Sequence, residues 1–446
     1  MPRPADYREA LEWLETHTDY ERVNHVRREV PTLEPVRQLL EVFADPHRDY
    51  AVIHVTGTNG KGTTSTVVTH LALAAGLRVG TFTSPDLHAV NERIAVNGEA
   101  IDDEALTDLL VRLYDAEVVS GVVLTRFELL TVAALLHFSD EGVDLAVVEV
   151  GVGGTWDSTN VVDGQVGVLT NVDLDHTAIL GPTISAIAED KVGIFRSDAI
   201  AVLATENAIV VDIAERRARE VGATLWRLGR DFEVVENDLA VGGRLVSVRT
   251  PYGRYDDILV SLHGSHQGTN AATALVALEA FLGRHLDDTL VAGVLGRISM
   301  PGRLEVVGRR PTVLVDGAHN PAGVRRLVEA LESAFPVDGL RRCVLGILSG
   351  REVDDMVEPL VASGFEEFFC APPRSPRAVS AGELAAAVRR AGGRAREYPT
   401  VSLALSHARE LSGDEDLVVA AGSLYLVAEV REMTLRIPSR HPHETP

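Results

Sequence analysis

The stretch "HVTGTNGKGTTS" (54–65) decides the fold, because it follows an apolar, β-branched run and opens a helical pattern. A strand that turns through glycines into a helix surrounds an anion with backbone N–H groups and a helix N-terminus. Gly57, Gly60 and Gly62 let the chain approach that anion closely. The stretch predicts a phosphate-binding loop; the alternative is an ordinary glycine-rich strand-to-helix turn.

Lys61 lies where a loop lysine reaches the β- and γ-phosphates of a nucleotide, and Thr63 or Thr64 could face Mg²⁺. The loop departs from the generic pattern, since position 55 is Val and Gly62 separates Lys61 from Thr63. Only two of the 42 Lys and Arg residues are lysines, Lys61 and Lys191, which favours nucleotide binding. The predicted nucleotide-contacting residues here are Gly57, Thr58, Asn59, Gly60, Lys61, Gly62, Thr63 and Thr64.

Working outward, apolar runs alternate with helical patterns, as in a parallel α/β sheet with helices on both faces. These runs are residues 50–57, 77–84, 143–151 and 166–173. Residues 231–262 alternate apolar and polar side chains around Gly turns, which predicts antiparallel hairpins. A helical pattern over 266–283 follows.

A second alternating series begins near residue 300, with strands or strand-led segments at 311–321, 341–348, 365–373 and 416–432. The length of 446 residues suggests two domains, perhaps three. We place the boundary near "ISMPGRL" (298–304), where a helix is predicted to end at Pro301-Gly302. The predicted domains are 1–297 and 298–446.

Composition excludes several classes of protein. The net charge of −23 disfavours non-specific nucleic-acid binding. The charged start is no signal peptide, and no apolar run is long enough to span a membrane. Cys343 and Cys370 fit no metal or redox spacing and are expected to be reduced core residues of a cytoplasmic protein. A monomer is expected.

Two polar residues stand out on their own chemistry. Glu149 ends a strand, where open α/β sheets bind ligands; the alternative is a carboxylate facing water. Lys191 is spared in an arginine-rich chain, and an amine, unlike a guanidinium, can lose its proton when buried and be acylated. Taken alone, Ser84 is typical of a turn or helix cap, and His176 of a structural or solvated histidine.

Motifs in a fixed order then resemble a known family, the folate branch of the Mur ligase superfamily, with its folylpolyglutamate synthases and bifunctional dihydrofolate synthases. They are "GTNGKGT", "FTSPDL", "NERIAVNG", "FELLTVAA", "VEVGVGGTWDSTNV", "LDHTAILGPT", "IAEDKVGIF", "HQGTNAATA", "PGR", "DGAHNP" and "GSLYLVAEVR". The resemblance implies an α/β fold: a P-loop, Mur-ligase-like central domain with a mainly parallel sheet, and a smaller Rossmann-like C-terminal α/β domain.

The resemblance also implies two Mg²⁺ ions. Glu149 and Ser84 would bind one ion, and His176 would bind the second. Because an ammonium beside two cations would be repelled, the resemblance implies that Lys191 is carbamylated by CO₂ and helps to hold the second ion. The alternative is a salt bridge from Lys191 to Glu189, Asp190 or another carboxylate.

On the second domain the resemblance assigns ATP contacts. Gln267 and Asn270 would serve the adenine and ribose side, and Arg303 would clamp phosphate. Asp316 would contact the ribose and His319 the γ-phosphate. The alternatives are a solvated arginine in a Pro-Gly turn and a helix N-terminus capped by Asn320.

The function implied is an ATP-dependent ligase that joins L-glutamate to a folate or to dihydropteroate through an acyl phosphate. Its catalytic residues would be Lys61, Lys191, Arg303 and His319, and Ser423 is a candidate for the glutamate pocket or a strand-end serine. One alternative is another Mur-type amino-acid ligase, which is disfavoured because only roughly fifty residues precede the loop. Two others are a P-loop ATPase or kinase-like switch and an inactive binding protein.

The chain departs from the family pattern at two places. It has Thr155-Trp156 where Arg-Leu is common, and Asp86 where His is common. Both loops are expected on the pterin side of the cleft. The choice between dihydropteroate, a tetrahydrofolate, or both therefore stays open.

Overall fold

The computed structural model describes residues 2–20, 32–350 and 352–437. Three β-sheets form its framework. The strands of the first sheet are β1 (Ala51–Thr56), β2 (Val79–Phe82), β3 (Ile94–Val96), β4 (Glu99–Ala100), β5 (Leu145–Glu149), β6 (Val166–Leu169), β7 (Ile200–Leu203) and β8 (Thr224–Arg227). The second sheet contains β9 (Glu233–Ala240), β10 (Gly243–Thr250) and β11 (Gly253–Val260). The third contains β12 (Glu305–Gly308), β13 (Thr312–Asp316), β14 (Arg341–Leu345), β15 (Glu367–Cys370), β16 (Ala395–Glu397) and β17 (Leu417–Ala421).

Helices connect these strands. Up to β8 they are α1 (Tyr7–Leu14), α2 (Glu34–Val42), α3 (Lys61–Ala74), α4 (Asp103–Ser120), α5 (Arg126–Asp140), α6 (Thr177–Leu180), α7 (Ile184–Lys191) and α8 (Ala208–Val221). Beyond β11 they are α9 (Ser265–Leu282), α10 (Asp288–Leu295), α11 (Pro321–Ala334), α12 (Val353–Ala362), α13 (Ala381–Arg390), α14 (Val401–Glu410) and α15 (Leu424–Leu435).

The first sheet is mainly parallel, in the order β4-β3-β2-β5-β1-β6-β7-β8, with antiparallel pairing only where β2, β3 and β4 meet. Its central strands are buried on both faces, as continuous apolar runs require. Val52 and Val148 face the core formed with α4 and α5, whereas Ile53 and Val147 face the core formed with α3 and α9. The α/β prediction from these runs is confirmed.

The carboxyl ends of the central strands meet at one edge. Val55 on β1 is level with Glu149 on β5, and Thr56 is level with Leu169 on β6. The loop after β1 therefore emerges between the ends of β5 and β6. Parallel pairing thus gathers segments that are about a hundred residues apart in sequence.

The predicted hairpins form the antiparallel sheet β9–β11. Its buried side chains, including Val246 and Tyr255, share a core with α9 and with the first sheet. Helix α10 ends at Leu295, so the predicted helix end at Pro301-Gly302 is wrong. The Ser261 hydroxyl donates to the Ile298 carbonyl at 2.7 Å and holds the chain outside the helix before the proline is reached.

The third sheet has the order β12-β13-β17-β14-β15-β16, in which only β12 is antiparallel to its neighbour. Helices α11 to α13 pack on one face, and α14 and α15 pack on the other. Cys343 and Cys370 are buried, free thiols, as predicted, and the structure places them on adjacent strands. The division of the chain at residue 298 stays a prediction.

Among the described helices, none combines the length and the apolar character needed to cross a bilayer.

Candidate active site

The loop after β1 is shaped by close contacts at two glycines. Gly57 has φ +153°, and a Cβ there would lie 1.8 Å from Thr170 Oγ1. Gly60 is left-handed at φ +85°, and a Cβ there would lie 2.5 Å from Asn270 Oδ1. Asn171 holds the loop, because its side-chain oxygen accepts from the Asn59 backbone N–H at 3.0 Å. The loop is thus built against β6 and α9 before α3 begins at Lys61.

The first turn of α3 presents buried hydroxyl groups. Within the described ranges, Thr64 Oγ1 and Ser65 Oγ are buried and make no hydrogen bond, although buried hydroxyls nearly always have a partner. Gly62 lies beside the Glu149 carboxylate, because a Cβ at Gly62 would be 3.6 Å from Glu149 Oε2. Orphaned hydroxyls next to a buried carboxylate are oxygen donors that suit Mg²⁺.

Glu149 has the electrostatics of a cation ligand. Burial raises the pKa of this carboxyl to about 7, against the opposing charge of Lys61. The Ser84 backbone N–H donates to Glu149 Oε2 at 3.4 Å, so these two predicted ligands are neighbours. Within residues 2–20, 32–350 and 352–437, no three His, Cys, Asp or Glu side chains form a preassembled metal centre. A Mg²⁺ ion here would complete its shell with waters and phosphate oxygens, which is its habit in nucleotide sites.

The two lysines converge on one backbone oxygen. Lys61 Nζ donates to the Gly57 carbonyl at 3.1 Å, and Lys191 Nζ donates to the same oxygen at 2.9 Å. Lys191 is 4% exposed. Burial and the charge of Lys61 lower the pKa of Lys191 to about 7. An amine of that pKa is about half neutral at pH 7, and the neutral form is the one that can react with CO₂.

Contacts near the end of α7 bear on the salt-bridge alternative. Glu189 pairs with Arg216 on the outer side of the helix. The glycine loop after β5 packs against the inner side, since a Cβ at Gly154 would lie 2.7 Å from the Lys191 carbonyl oxygen. Lys191 is thereby directed at the phosphate loop rather than at Glu189.

His176 lies at the N-terminus of α6 with φ +50°. Burial lowers the pKa of His176 to about 3, and Lys61, His319, Lys191 and Arg377 add to the effect. The imidazole is therefore neutral at physiological pH and can offer a lone pair to a metal.

Asp175 and Asn320 were not predicted as site residues, and they join the two parts of the cleft. Asn320 Nδ2 donates to Asp175 Oδ2 at 2.9 Å and to Asn59 Oδ1 at 3.2 Å. Asp175 Oδ2 also lies 3.7 Å from His319 Nε2. The Asn320 side-chain oxygen still caps α11 through the Gly323 N–H. The sequence signal for Asp175 was its position directly before His176, in the loop between β6 and α6.

The loop after β13 supplies the opposite wall. Asp316 accepts backbone N–H bonds from Leu304 at 2.9 Å and Ala318 at 2.8 Å, and burial raises its pKa. Burial and Arg303 lower the pKa of His319 to about 4. Gly317, between Asp316 and His319, lies close to two side-chain ends, since a Cβ there would be 2.4 Å from Leu424 Cδ2 and 2.8 Å from Arg303 Nη1.

The remaining predicted residues divide into two groups. On α9, Asn270 Nδ2 donates to Gln267 Oε1 at 2.9 Å, and Asn270 touches Gly60, so the pair adjoins the phosphate loop. Ser423 instead caps α15, accepting from the Leu426 N–H at 3.2 Å. Trp156 is 47% exposed in the loop after β5.

Comparisons with known proteins agree with this geometry. The Mur ligase middle domain matches residues 55–278, and the Mur ligase, glutamate ligase domain matches residues 302–424. The dihydrofolate synthase/folylpolyglutamate synthase of Mycobacterium tuberculosis is 35% identical over 84% of this chain and 79% of its own length.

Two solved structures extend the comparison. The Mycobacterium tuberculosis folylpolyglutamate synthase complexed with ADP and AMPPCP has a TM-score of 0.89 at 32% identity, covering 96% of this chain and 98% of that one. The bifunctional folylpolyglutamate synthase/dihydrofolate synthase of Yersinia pestis, complexed with AMPPNP and Mn ion, has a TM-score of 0.85 at 30% identity, covering 98% and 100%. The chain therefore belongs to the Mur ligase family of ATP-dependent ligases, in the branch of the folylpolyglutamate and dihydrofolate synthases.

Proposed function

We propose that this protein uses ATP to join L-glutamate to dihydropteroate, to a tetrahydrofolate, or to both. The observation that carries the proposal is the meeting of Asn59, Asp175 and Asn320. Through them the phosphate loop of the first sheet faces His319 and Arg303 from the third sheet. The relatives named above bear the same activity in their names.

The chemistry has two steps. A substrate carboxylate attacks the γ-phosphorus of ATP, which forms an acyl phosphate and releases ADP. The neutral amine of glutamate then attacks the acyl carbon, phosphate leaves with the carbon–oxygen bond electrons, and the nitrogen loses a proton to solvent to give the amide. Phosphoryl transfer needs charge neutralisation and positioning more than covalent help from the protein.

The position of each side chain in the cleft decides which part of ATP it would contact. Lys61 at the loop and Arg303 opposite it bind phosphate oxygens. His319 Nδ1–H donates to the Gly317 carbonyl at 2.9 Å, so the neutral ring has no proton on Nε2. We infer that His319 gains a proton when the phosphates bind and then donates from Nε2 to the γ-phosphate. We infer that Gln267 and Asn270 hold the adenine and ribose side and that Asp316 contacts the ribose.

Metal ions complete the proposal. Glu149 and Ser84, with the Thr64 hydroxyl, would hold one Mg²⁺, and His176 would bind the second. When bound, Mg²⁺ supplies positive charge that offsets the charge of the phosphates. We infer that the neutral Lys191 amine adds to the carbon of CO₂ and loses a proton to solvent, which gives a carbamate that helps to bind the second ion. We further propose that the protein acts as a cytoplasmic monomer.

The experiment that tests this function is a phosphate-release assay with ATP, Mg²⁺ and glutamate, in which dihydropteroate and tetrahydrofolate are offered separately. We expect stimulation by at least one acceptor and strict dependence on glutamate. ATP turnover that ignores glutamate would favour the P-loop switch instead. Turnover stimulated by neither acceptor would contradict the folate assignment.

A further inference from the structure

The loop after β2 reaches the third-sheet part of the molecule, which comprises β12–β17 and α11–α15. This loop spans residues 83–93 and carries Ser84, one of the proposed metal ligands. Its two ends are joined, since the Thr83 N–H donates to the Arg93 carbonyl at 3.0 Å. Nearer its middle, Leu87 packs against the core between the third sheet and the helices α14 and α15. The loop is therefore anchored beside the first sheet and touches the third-sheet part at its tip.

His88, at the tip of this loop, is buried against α15. Arg431 Nη1 donates to His88 Nε2, and His88 is 7% exposed. Because a guanidinium has donors only, His88 Nε2 must accept, and the ring carries its proton on Nδ1. That Nδ1 lies 3.5 Å from Glu432 Oε1. Glu92 fixes the backbone here, since its carboxylate accepts from the His88 N–H at 3.1 Å. A neutral histidine is thus held between an arginine and a carboxylate of α15.

Arg431 extends this contact to the segment that carries Arg303. Its Nε donates to Glu305 Oε2 at 2.8 Å, and its Nη2 donates to Glu305 Oε1 at 3.3 Å. The same Glu305 Oε2 accepts from the Gly302 N–H at 2.6 Å. Gly302 directly precedes Arg303 in the chain. A continuous series of hydrogen bonds therefore leads from His88 to the residue next to the proposed phosphate-binding arginine.

The ion pairs within the third-sheet part are complete without His88. Arg431 pairs with Glu305, and Arg374 pairs with Glu432. A neutral His88 balances none of these charges. Its contact with Arg431 instead joins the loop after β2 to α15, two segments that are more than three hundred residues apart in the chain.

The charges around His88 keep its ring neutral. Burial lowers the pKa of His88, and the neighbouring Arg431 adds to this effect, while Glu92 and Glu432 oppose it. The imidazole therefore keeps a free lone pair on Nε2 at physiological pH, as the bond from Arg431 requires. This agrees with the direction of the hydrogen bond that the geometry gives.

We propose that His88, Arg431 and Glu305 form a latch that holds Ser84 and Arg303 in the correct relative position for phosphoryl transfer. This inference rests on the proposed function. Ser84 would hold a metal ion on one side of the ATP phosphates, and Arg303 would bind them from the other side. Misplacing such groups by about 1 Å costs about 100-fold in rate. The latch residues are positioning residues, because they act through the segments that carry Ser84 and Arg303.

The first test compares His88→Ala and His88→Gln with the wild type in steady-state kinetics, varying ATP, glutamate and the folate acceptor in turn. We expect His88→Ala to lower kcat at least about 10-fold while the KM values stay within about 3-fold, because the binding groups remain but are misaligned. His88→Gln restores an uncharged acceptor near the position of Nε2 and should keep at least about half of the wild-type kcat. His137→Ala, which removes a buried histidine of α5, is the matched control and should keep the wild-type kcat below its Tm. A kcat of His88→Ala equal to that of wild type, or no rescue in His88→Gln, overturns the inference.

A second measurement does not depend on activity. Arg431→Lys keeps a charge opposite Glu305 but has one nitrogen, which cannot bond both Glu305 and His88. The Tm of the full chain is measured for His88→Ala, Arg431→Lys and the double variant. If the two residues act through one contact, the double variant should lose less Tm than the sum of the single losses. Additive losses overturn the latch. A wild type that is inactive with every acceptor contradicts the proposed function instead, so the two failures are distinguishable.

Discussion

Lys191 is a buried amine beside a second cation, and this makes its chemistry specific. Lys191→Arg keeps a positive charge at the end of α7 but removes the group that can add to CO₂. We expect kcat to fall about 100-fold or more, because the loss of one group that stabilises charge at a reacting centre costs about that much. Steady-state turnover at saturating ATP and glutamate measures it.

The matched control for Lys191→Arg is the opposite exchange on the same part of the molecule. Arg216 lies on α8, where it is exposed and paired with Glu189. Arg216→Lys should therefore leave kcat unchanged. Turnover of Lys191→Arg close to that of wild type would show that the carbamate is not needed.

At this scale the sequence revealed residues whose type is unusual, and it missed residues whose role depends on their neighbours. Lys191 stood out because lysine is scarce in the chain. Asp175 and Asn320 are common residue types, and only the approach of two distant loops makes them partners.

At the scale of secondary-structure elements, the loop between β1 and α3 leaves no room for a side chain at Gly57. We expect Gly57→Ala to weaken ATP binding at least about 10-fold, because the new Cβ would overlap Thr170 Oγ1 and displace the loop. Isothermal titration with a non-hydrolysable ATP analogue measures the affinity. Gly142→Ala is the control: its φ is also positive, at +58°, but nothing lies within 4 Å, so it should cost only about 1 kcal/mol of stability. Equal losses of affinity in both variants would mean that backbone strain alone is responsible.

The region after α1 is joined to α4 by an ion pair that depends on pH. His17 Nε2 lies 3.1 Å from Glu117 Oε2. Burial opposes the charged imidazole, but Glu117 outweighs it, so the pKa of His17 is raised above 6.5. A raised pKa means that this stabilisation is complete below about pH 6.5 and is lost as pH rises through the pKa of the folded state.

We therefore expect His17→Gln to lower the free energy of unfolding by about 1–3 kcal/mol at pH 6. The difference in Tm between His17→Gln and wild type should shrink by pH 8.5. Thermal unfolding followed by circular dichroism at pH 6, 7 and 8.5 measures this difference. A Tm difference that does not change with pH would show that His17 contributes through packing alone.

The strands that were predicted are those whose pattern is strongest. Runs such as Leu145–Glu149 are apolar because both of their faces are covered, and this leaves a clear signature. Edge strands were not anticipated: β4 has two exposed residues and β16 three residues, too few for a period to be recognised. The end of α10 was misplaced because the helix ends at Leu295, whose carbonyl accepts from the Ser261 backbone N–H at 3.0 Å, several residues before the proline.

In the molecule as a whole, Asn320 connects the two walls of the cleft. Asn320→Asp keeps the cap on α11 but places a second carboxylate against Asp175. We expect kcat to fall about 100-fold, since an uncompensated buried charge costs roughly 3–5 kcal/mol, while ATP affinity changes much less. Steady-state kinetics measure kcat and the dependence on ATP. Small-angle X-ray scattering measures the radius of gyration, which should increase in the variant.

Two further variants separate charge from shape at this contact. Asn320→Ser keeps a capping group without adding charge and should lose less activity than Asn320→Asp. Adding Asp175→Asn to Asn320→Asp removes the repulsion, so the double variant should recover part of the activity. An absence of recovery would mean that Asp175 and Asn320 act independently.

The shared oxygen of Gly57 has one more consequence, for the energetics of filling the cleft. Donor distances of 2.9 and 3.1 Å to one atom keep the two lysine nitrogens within about 6 Å of each other. While both are protonated, they repel by about 3 kcal/mol at an effective dielectric constant near 20. This repulsion is one reason why the pKa of Lys191 is lowered, so loss of its proton relieves the repulsion and leaves the neutral amine that can form the carbamate. Nucleotide phosphates near Lys61 would offset the same repulsion, so the protonation of Lys191 should depend on whether nucleotide is bound.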